Sequence, residues 1–169
     1  CIRDRHYRLQ KSFTVKTEGD VSREIPDAVI YLPQNRNIII DSKFSFTAYN
    51  DYCNTDVKAE KEKHGKSLTK NIRDRINDLS STKYNQIEEL NTPDIIFMFL
   101  GIDDSLSVAL KHDPELVSYA DKKRIALVSP SILHISIKMV ENLWRLDGQR
   151  ESVVTVSYTH LTLPTSAIV

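Results

Sequence analysis

The sequence predicts an α/β fold, a central mixed sheet flanked by helices, and three features carry that expectation. Short apolar runs of strand length, bounded by turn residues, recur at 28–32, 38–40, 95–101 and 125–129. Helical periodicity fills the gaps, most clearly over 58–79, where Leu68, Ile72, Ile76 and Leu79 recur at spacings of four, four and three. The connections are long enough to carry helices back across a sheet. A chain of 169 residues, 40% hydrophobic and 27% charged, suffices for one domain with its own core.

In chain order, residues 6–15 read as a first strand. Ala28-Val29-Ile30-Tyr31-Leu32 and Ile38-Ile39-Ile40 flank the polar turn Pro33-Gln34-Asn35-Arg36-Asn37, which predicts a β-hairpin. The helix over 58–79 follows, apolar along one stripe and charged on the other face. A strand over 95–101 leads to two short helices, 105–111 and 114–120, separated by Asp113-Pro114, where the proline suits a first helical turn. A strand over 125–129 precedes the last helix, 131–149. Asp94 reads as a strand-opening residue, and 121–124 as a solvated turn. No internal repeat or low-complexity segment appears.

Chemistry concentrates at the ends of the hairpin. Pro26-Asp27 opens its first strand and Asp41-Ser42-Lys43 closes its second, so both acids ride on adjacent strands. Because strand side chains alternate faces, Asp41 and Lys43 point one way, and Ser42 the other with Ile38 and Ile40. Phosphodiester hydrolysis needs a divalent ion to neutralise phosphate charge and to generate hydroxide near neutral pH, and two carboxylates can hold it. Asp27 and Asp41 are the expected ligands of Mg²⁺ or Mn²⁺. Lys43 is expected to orient the attacking water or to stabilise the pentacovalent phosphate. The competing reading is a common strand opening and a chance Asp-x-Lys. Three consecutive isoleucines before the acids favour a buried strand pair over an exposed hairpin.

Over residues 7–150 the chain resembles the RmuC family. The resemblance rests on Pro26-Asp27 with Leu32-Pro33, on Asp41-Ser42-Lys43, and on Thr47-Ala48-Tyr49 with Tyr52. It continues through Phe97-Met98-Phe99, Asp113-Pro114-Glu115-Leu116, Leu127-Val128-Ser129-Pro130 and Asn142-Leu143-Trp144-Arg145. It implies a restriction-endonuclease-like PD-(D/E)xK core and a nuclease-like role on DNA in limiting rearrangement. A membrane tether and a coiled-coil region able to form a homo-oligomer are implied for the full-length protein. Where the family carries Pro-x-Glu-Pro after its central strand, this chain has Gly101-Ile102-Asp103-Asp104, so Asp103 would have to serve with a shorter reach. An acid on a helix preceding the first strand, common in this nuclease fold, would lie upstream of Cys1.

The chain reads as a piece of a longer protein, with a nuclease-fold domain over 1–152. Residues 153–169 resemble translated sequencing-adapter read-through, although their alternation of Val, Tyr and Leu with Thr also suits a strand. No run is long enough to span a bilayer, and Cys1 and Cys53 form neither a metal pattern nor a disulfide framework. A cytoplasmic setting is expected.

Zero net charge argues against an indiscriminate nucleic-acid binder, but charge is unevenly placed. Residues 58–83 carry eight Lys or Arg against four acids, whereas 85–121 carry eight acids against one Lys. Lys66, Lys70 and Arg73, within a stripe that includes Lys61, Lys63 and Arg75, are candidate phosphate contacts whose binding would fall with salt. The alternative is a solvated helix face balanced by Glu60, Glu62 and Asp74. Arg36, in the hairpin turn, is a further phosphate candidate. Tyr49, close behind the lysine strand, would touch substrate or serve packing.

Gly65-Lys66-Ser67 mimics the end of a phosphate-binding loop, yet Glu60 stands where its leading glycine must fall. His64, His112 and His134 show no metal-pair spacing. Trp144 fits core packing better than base stacking. Two functional classes remain: a metal-dependent deoxyribonuclease, and a non-catalytic module on the same fold that binds DNA structure.

Overall fold

The computed structural model describes residues 7–17, 20–42, 46–82, 84, 87 and 95–160. Its strands are β1 (Tyr7–Leu9), β2 (Phe13–Thr17), β3 (Asp20–Glu24), β4 (Ala28–Leu32), β5 (Arg36–Asp41), β6 (Ile95–Phe99) and β7 (Ile125–Val128). Its helices are α1 (Thr47–Cys53), α2 (Lys58–Ser81), α3 (Asp103–His112), α4 (Leu116–Asp121) and α5 (Pro130–His160). Five strands form one sheet in the order β1-β4-β5-β6-β7, while β2 and β3 pair as a separate antiparallel hairpin. The sheet is mixed: β1, β4 and β5 run antiparallel to one another, and β5, β6 and β7 run parallel.

Alternation along β4 and β5 assigns the two faces. Val29, Ile39, Ile96 and Met98 pack with Leu68, Ile72, Ile76 and Leu79 of α2, and with residues of α3 and α4. Ile30, Ile38 and Ile40 pack on the opposite side against Val140, with Leu133 and Trp144 of α5 partly buried beside them. Burial on both faces explains why the Ile38-Ile39-Ile40 run has no polar alternation. The expected apolar stripe of α2 is buried along its length, at Leu68, Ile72, Ile76 and Leu79. α5 also carries a second stripe, exposed at Ile132, Ile135, Met139, Leu143 and Leu146.

The hairpin, the two parallel strands and the long helix lie where the sequence predicts them. The first strand does not run unbroken over 6–15. Gln10 adopts a left-handed φ of 46°, and its N–H donates to the Asp27 carbonyl at 2.9 Å. That turn leaves β1 on the sheet edge and sends the chain into the β2–β3 hairpin. Helix α1 was not anticipated; it is seven residues long with one buried side chain, Ala48. Pro114 precedes α4 rather than opening it, because Asp113 forms the turn: its Oδ1 accepts from the Glu115 N–H at 3.2 Å. The last helix continues past 149 to His160, across the expected domain boundary at 152, and no helix-stopping proline intervenes before Pro164. The turn expected over 121–124 covers 122–124, exposed at Lys122 and Arg124, because Asp121 ends α4. Asp94 and residues 161–169 lie outside the described residues.

Helix α2 meets α3 at unusually close range. The His112 ring lies over Gly65, so a Cβ added there would fall 2.0 Å from Nε2. Thr69 seals the same contact, its hydroxyl placed 3.0 Å from the Gly65 carbonyl and 3.2 Å from the Ala109 carbonyl. Gly148, in α5, has nothing within 4 Å of the corresponding position. The two glycines should therefore respond oppositely to alanine. Gly148→Ala is expected to raise stability by up to about 1 kcal/mol through helix propensity. Gly65→Ala is expected to lower it by about 1–2 kcal/mol, because the overpacking cost outweighs that gain. Urea unfolding of both variants checks the signs.

A candidate acidic site at one edge of the sheet

The parallel strands β5, β6 and β7 end along one edge of the sheet, and β4 begins there. Ligands of open α/β sheets gather at such carboxyl ends. Pairing of Ala28 with Ile40 and of Val29 with Ile39 sets Asp27 opposite Asp41, one step further along the ladder. Alternation aims both side chains at the face that carries Val29 and Ile39. On its other side Asp41 is in register with Met98 of β6.

Each carboxylate accepts a hydrogen bond from a neutral side chain. Asp27, half-buried, accepts two hydrogen bonds on Oδ2 from Ser42, at 2.7 Å from the backbone N–H and 2.6 Å from the hydroxyl. These bonds tie the start of β4 to the end of β5. Asp41 is only 1% exposed, and its Oδ2 accepts from the Tyr84 hydroxyl at 3.0 Å. Among the described residues no cluster of three or more His, Cys, Asp or Glu is arranged to hold a metal ion. Lys43, the third member of the expected constellation, lies outside the described residues.

The next strand end brings two further acids. A Cβ at Gly101 would fall 2.7 Å from the tip of the Phe46 ring, so a side chain there would collide with the start of α1. Asp103 accepts from Ser131 through both oxygens, at 3.0 Å from the backbone N–H and 2.9 Å from the hydroxyl. Hydrogen bonds from Ser129, and then from Ser131, hold its carboxyl below the usual range. Asp103 thus caps the first turn of α5, where a negative charge meets the positive end of the helix. Asp104 accepts from the Tyr49 hydroxyl at 3.2 Å. Contact with Cys53, burial and Asp104 together push the Tyr49 phenol above its ordinary value.

The cationic candidates are placed differently. Arg36 begins β5 and Asp41 ends it, which separates them by about 17 Å along the strand. Lys66 pairs with Glu62 at 3.1 Å, and Arg75 with Asp78 at 3.4 Å. Arg73 bonds Asp113 at 2.5 Å, its guanidinium 4.3 Å from the centre of the Tyr119 ring, which fastens α2 to the α3–α4 turn. Lys70 is exposed and lacks a close acidic partner among the described residues. A shallow cleft of about 320 Å³ lies elsewhere, between Tyr52, Asp56, Lys58, Lys61, Glu62 and His112, and its lining is of mixed charge. The structure therefore sets Asp27 opposite Asp41, bonds Tyr49 to Asp104 in the first turn of α3, and engages Lys66 and Arg73 in ion pairs. Ser42, Tyr84 and Asp104 escaped the sequence analysis. Ser42 stood within the Asp-Ser-Lys run as a residue of the opposite face, and no local spacing marks Tyr84.

The sequence model of the RmuC family matches residues 1–164, beyond the point where the resemblance was expected to end. A "DNA recombination protein RmuC homolog" of Vibrio cholerae is 30% identical over 156 residues, covering 92% of this chain and 30% of that protein. The "DNA recombination protein RmuC" of Escherichia coli K12 is 32% identical over 144 residues, covering 85% and 30%. A Haemophilus influenzae homolog is 33% identical over 142 residues, covering 84% and 31%. The chain spans about 30% of the length of these curated relatives. No solved structure matches it.

The Arg73–Asp113 pair makes stability depend on pH. Arg73 foremost holds the Asp113 carboxyl below its ordinary 3.8, so the pair's contribution is complete above that value and is lost as pH falls through the lowered one. Arg73→Gln should cost about 1 kcal/mol at pH 7. The gap in Tm between wild type and variant should shrink as the pH is brought below 3.8, which calorimetry across that range measures.

Proposed function

The chain belongs to the RmuC family, and from that premise we propose that it serves DNA recombination as a metal-dependent deoxyribonuclease on a restriction-endonuclease-like PD-(D/E)xK core. The observation that carries this reading is the register that sets Asp27 opposite Asp41 at the carboxyl edge of the parallel strands. The topology is compatible with it: an antiparallel hairpin delivers both acids, and two parallel strands follow.

Two carboxylates suit Mg²⁺, which is bound by one or two protein oxygens and keeps several waters. Asp27 and Asp41 would hold the ion, or Mn²⁺ in its place. Such an ion supplies charge neutralisation on the phosphate and a water of lowered pKa. Hydrogen bonds from Ser42 and Tyr84 fix the orientation of the two carboxylates before a cation arrives. Lys43 orients the attacking water beside the scissile phosphate. Tyr49 would contact substrate and exposed Lys70 would offer a phosphate contact, whereas Arg36 is too far along its strand to reach the same phosphate. DNA is the partner and the cytoplasm the setting. Oligomerisation and any membrane tether are assigned to the parts of the longer relatives that this chain does not span.

A second reading draws on one observation, the near-complete burial of Asp41. A covered carboxylate suits a module that keeps the fold and binds DNA structure without cutting it. Labelled single-stranded, duplex and hairpin DNA separates the two. Cleavage by the full chain is expected to require Mg²⁺ or Mn²⁺, and Asp41→Asn and Lys43→Ala should each reduce it by about 100-fold or more. Binding without cleavage by wild type and variants alike would favour the second reading.

A further inference from the structure

Tyr84 is among the largest fully buried side chains of the fold, at 1% exposure, and it stands just beyond the end of α2. Beside it the Thr82 N–H donates to the Leu79 carbonyl, closing α2, and the Ile87 N–H donates to the Tyr84 carbonyl. Its ring belongs to the core cluster that also contains Ile39 and Met98. Its hydroxyl spans 43 sequence positions to reach the carboxylate of Asp41.

A buried phenol must find a partner, and most polar groups in a core would satisfy it. Here it meets a side chain whose terminal torsion is intrinsically soft, since a carboxylate rotates over a broad, two-fold potential. The hydrogen bond from a rigid ring restrains that freedom. The phenol is itself a neutral donor, so this bond brings no positive charge to the carboxylate. Asp27 receives the equivalent treatment from Ser42, whose backbone N–H and hydroxyl both point at one oxygen. Each proposed ligand is thus oriented by a donor from outside its own strand. Orientation by such outer partners usually accounts for a large share of metal affinity.

We propose that Tyr84 is a positioning residue for the divalent ion, holding Asp41 in the orientation that faces Asp27. The inference rests on the metal-binding reading above. It assigns Tyr84 no contact with substrate or with the reacting atoms.

The test titrates Mn²⁺ into the full chain, with free ion followed by electron paramagnetic resonance and heat by calorimetry. Tyr84→Phe keeps the ring and removes only the hydroxyl. Asp41→Asn removes the ligand. Thr69→Val removes a different buried hydroxyl, the one bonded between α2 and α3, and controls for general loosening. Tyr84→Phe is expected to weaken Mn²⁺ binding by about 10- to 100-fold. Asp41→Asn should abolish it and Thr69→Val should leave it unchanged. If Asp41→Asn abolishes binding but Tyr84→Phe binds as tightly as wild type, the positioning role is wrong and the metal site stands. Equal weakening in Tyr84→Phe and Thr69→Val also overturns it, since the loss would then be structural. Absence of Mn²⁺ binding by wild type at millimolar concentrations removes the metal reading, and the role of Tyr84 with it.

Discussion

The pairing of β4 with β5 is the constraint on which the rest of the molecule depends. Five residue pairs, from Ala28 with Ile40 to Leu32 with Arg36, fix the strands in one register. Because strand side chains repeat every two residues, a slip of one would turn Val29 and Ile39 away from α2 and separate Asp27 from Asp41 at once. Core and site therefore stand or fall together. The double grip of Ser42 on Asp27 lies at the open end of this hairpin, where fraying would otherwise begin. At the closed end Gln34 and Asn35 both take left-handed φ values, of 61° and 56°, to turn the chain within three residues.

The acids of the structure divide by the company they keep. Asp27 and Asp41 accept hydrogen bonds from serine and tyrosine, which orient them. Asp103 meets the N-terminal turn of a helix, and Asp113 meets an arginine. The latter pair are engaged in fastening: one anchors α5, the other binds α2 to the α3–α4 turn. The distinction follows from what each carboxylate faces, and it supports reading the first two, rather than Asp103, as the groups intended for a cation.

Where the chain repeats its chemistry at short intervals, the sequence was a good guide. The apolar runs announced β4, β5, β6 and β7, and the four-four-three spacing announced α2. The same hairpin logic brought Asp27 and Asp41 together. Legibility ended where structure depends on single residues or long separations. Gln10 breaks the first strand without the glycine or proline that would mark a turn. Helix α1 is too short to show a period. The bonds from Ser42 and Tyr84 cross 15 and 43 positions, distances at which no local pattern survives. An aspartate that caps a distant helix is indistinguishable in sequence from one that awaits a metal, and Asp103 is such a case.

Helix α5 is fixed to the sheet at two points. Asp103 holds its first turn beside the carboxyl edge, and the Trp144 indole donates to the Tyr31 carbonyl at 2.9 Å, near the closed end of the hairpin. The two anchors are about 20 Å apart along the helix axis. In mechanical terms α5 is a splint laid across the sheet from the acidic edge to the hairpin turn. A load applied along it is delivered to β4 at Tyr31 and to the start of α3 at Asp103, so tension on this helix reaches the hairpin that carries Asp27 and Asp41 from its closed end.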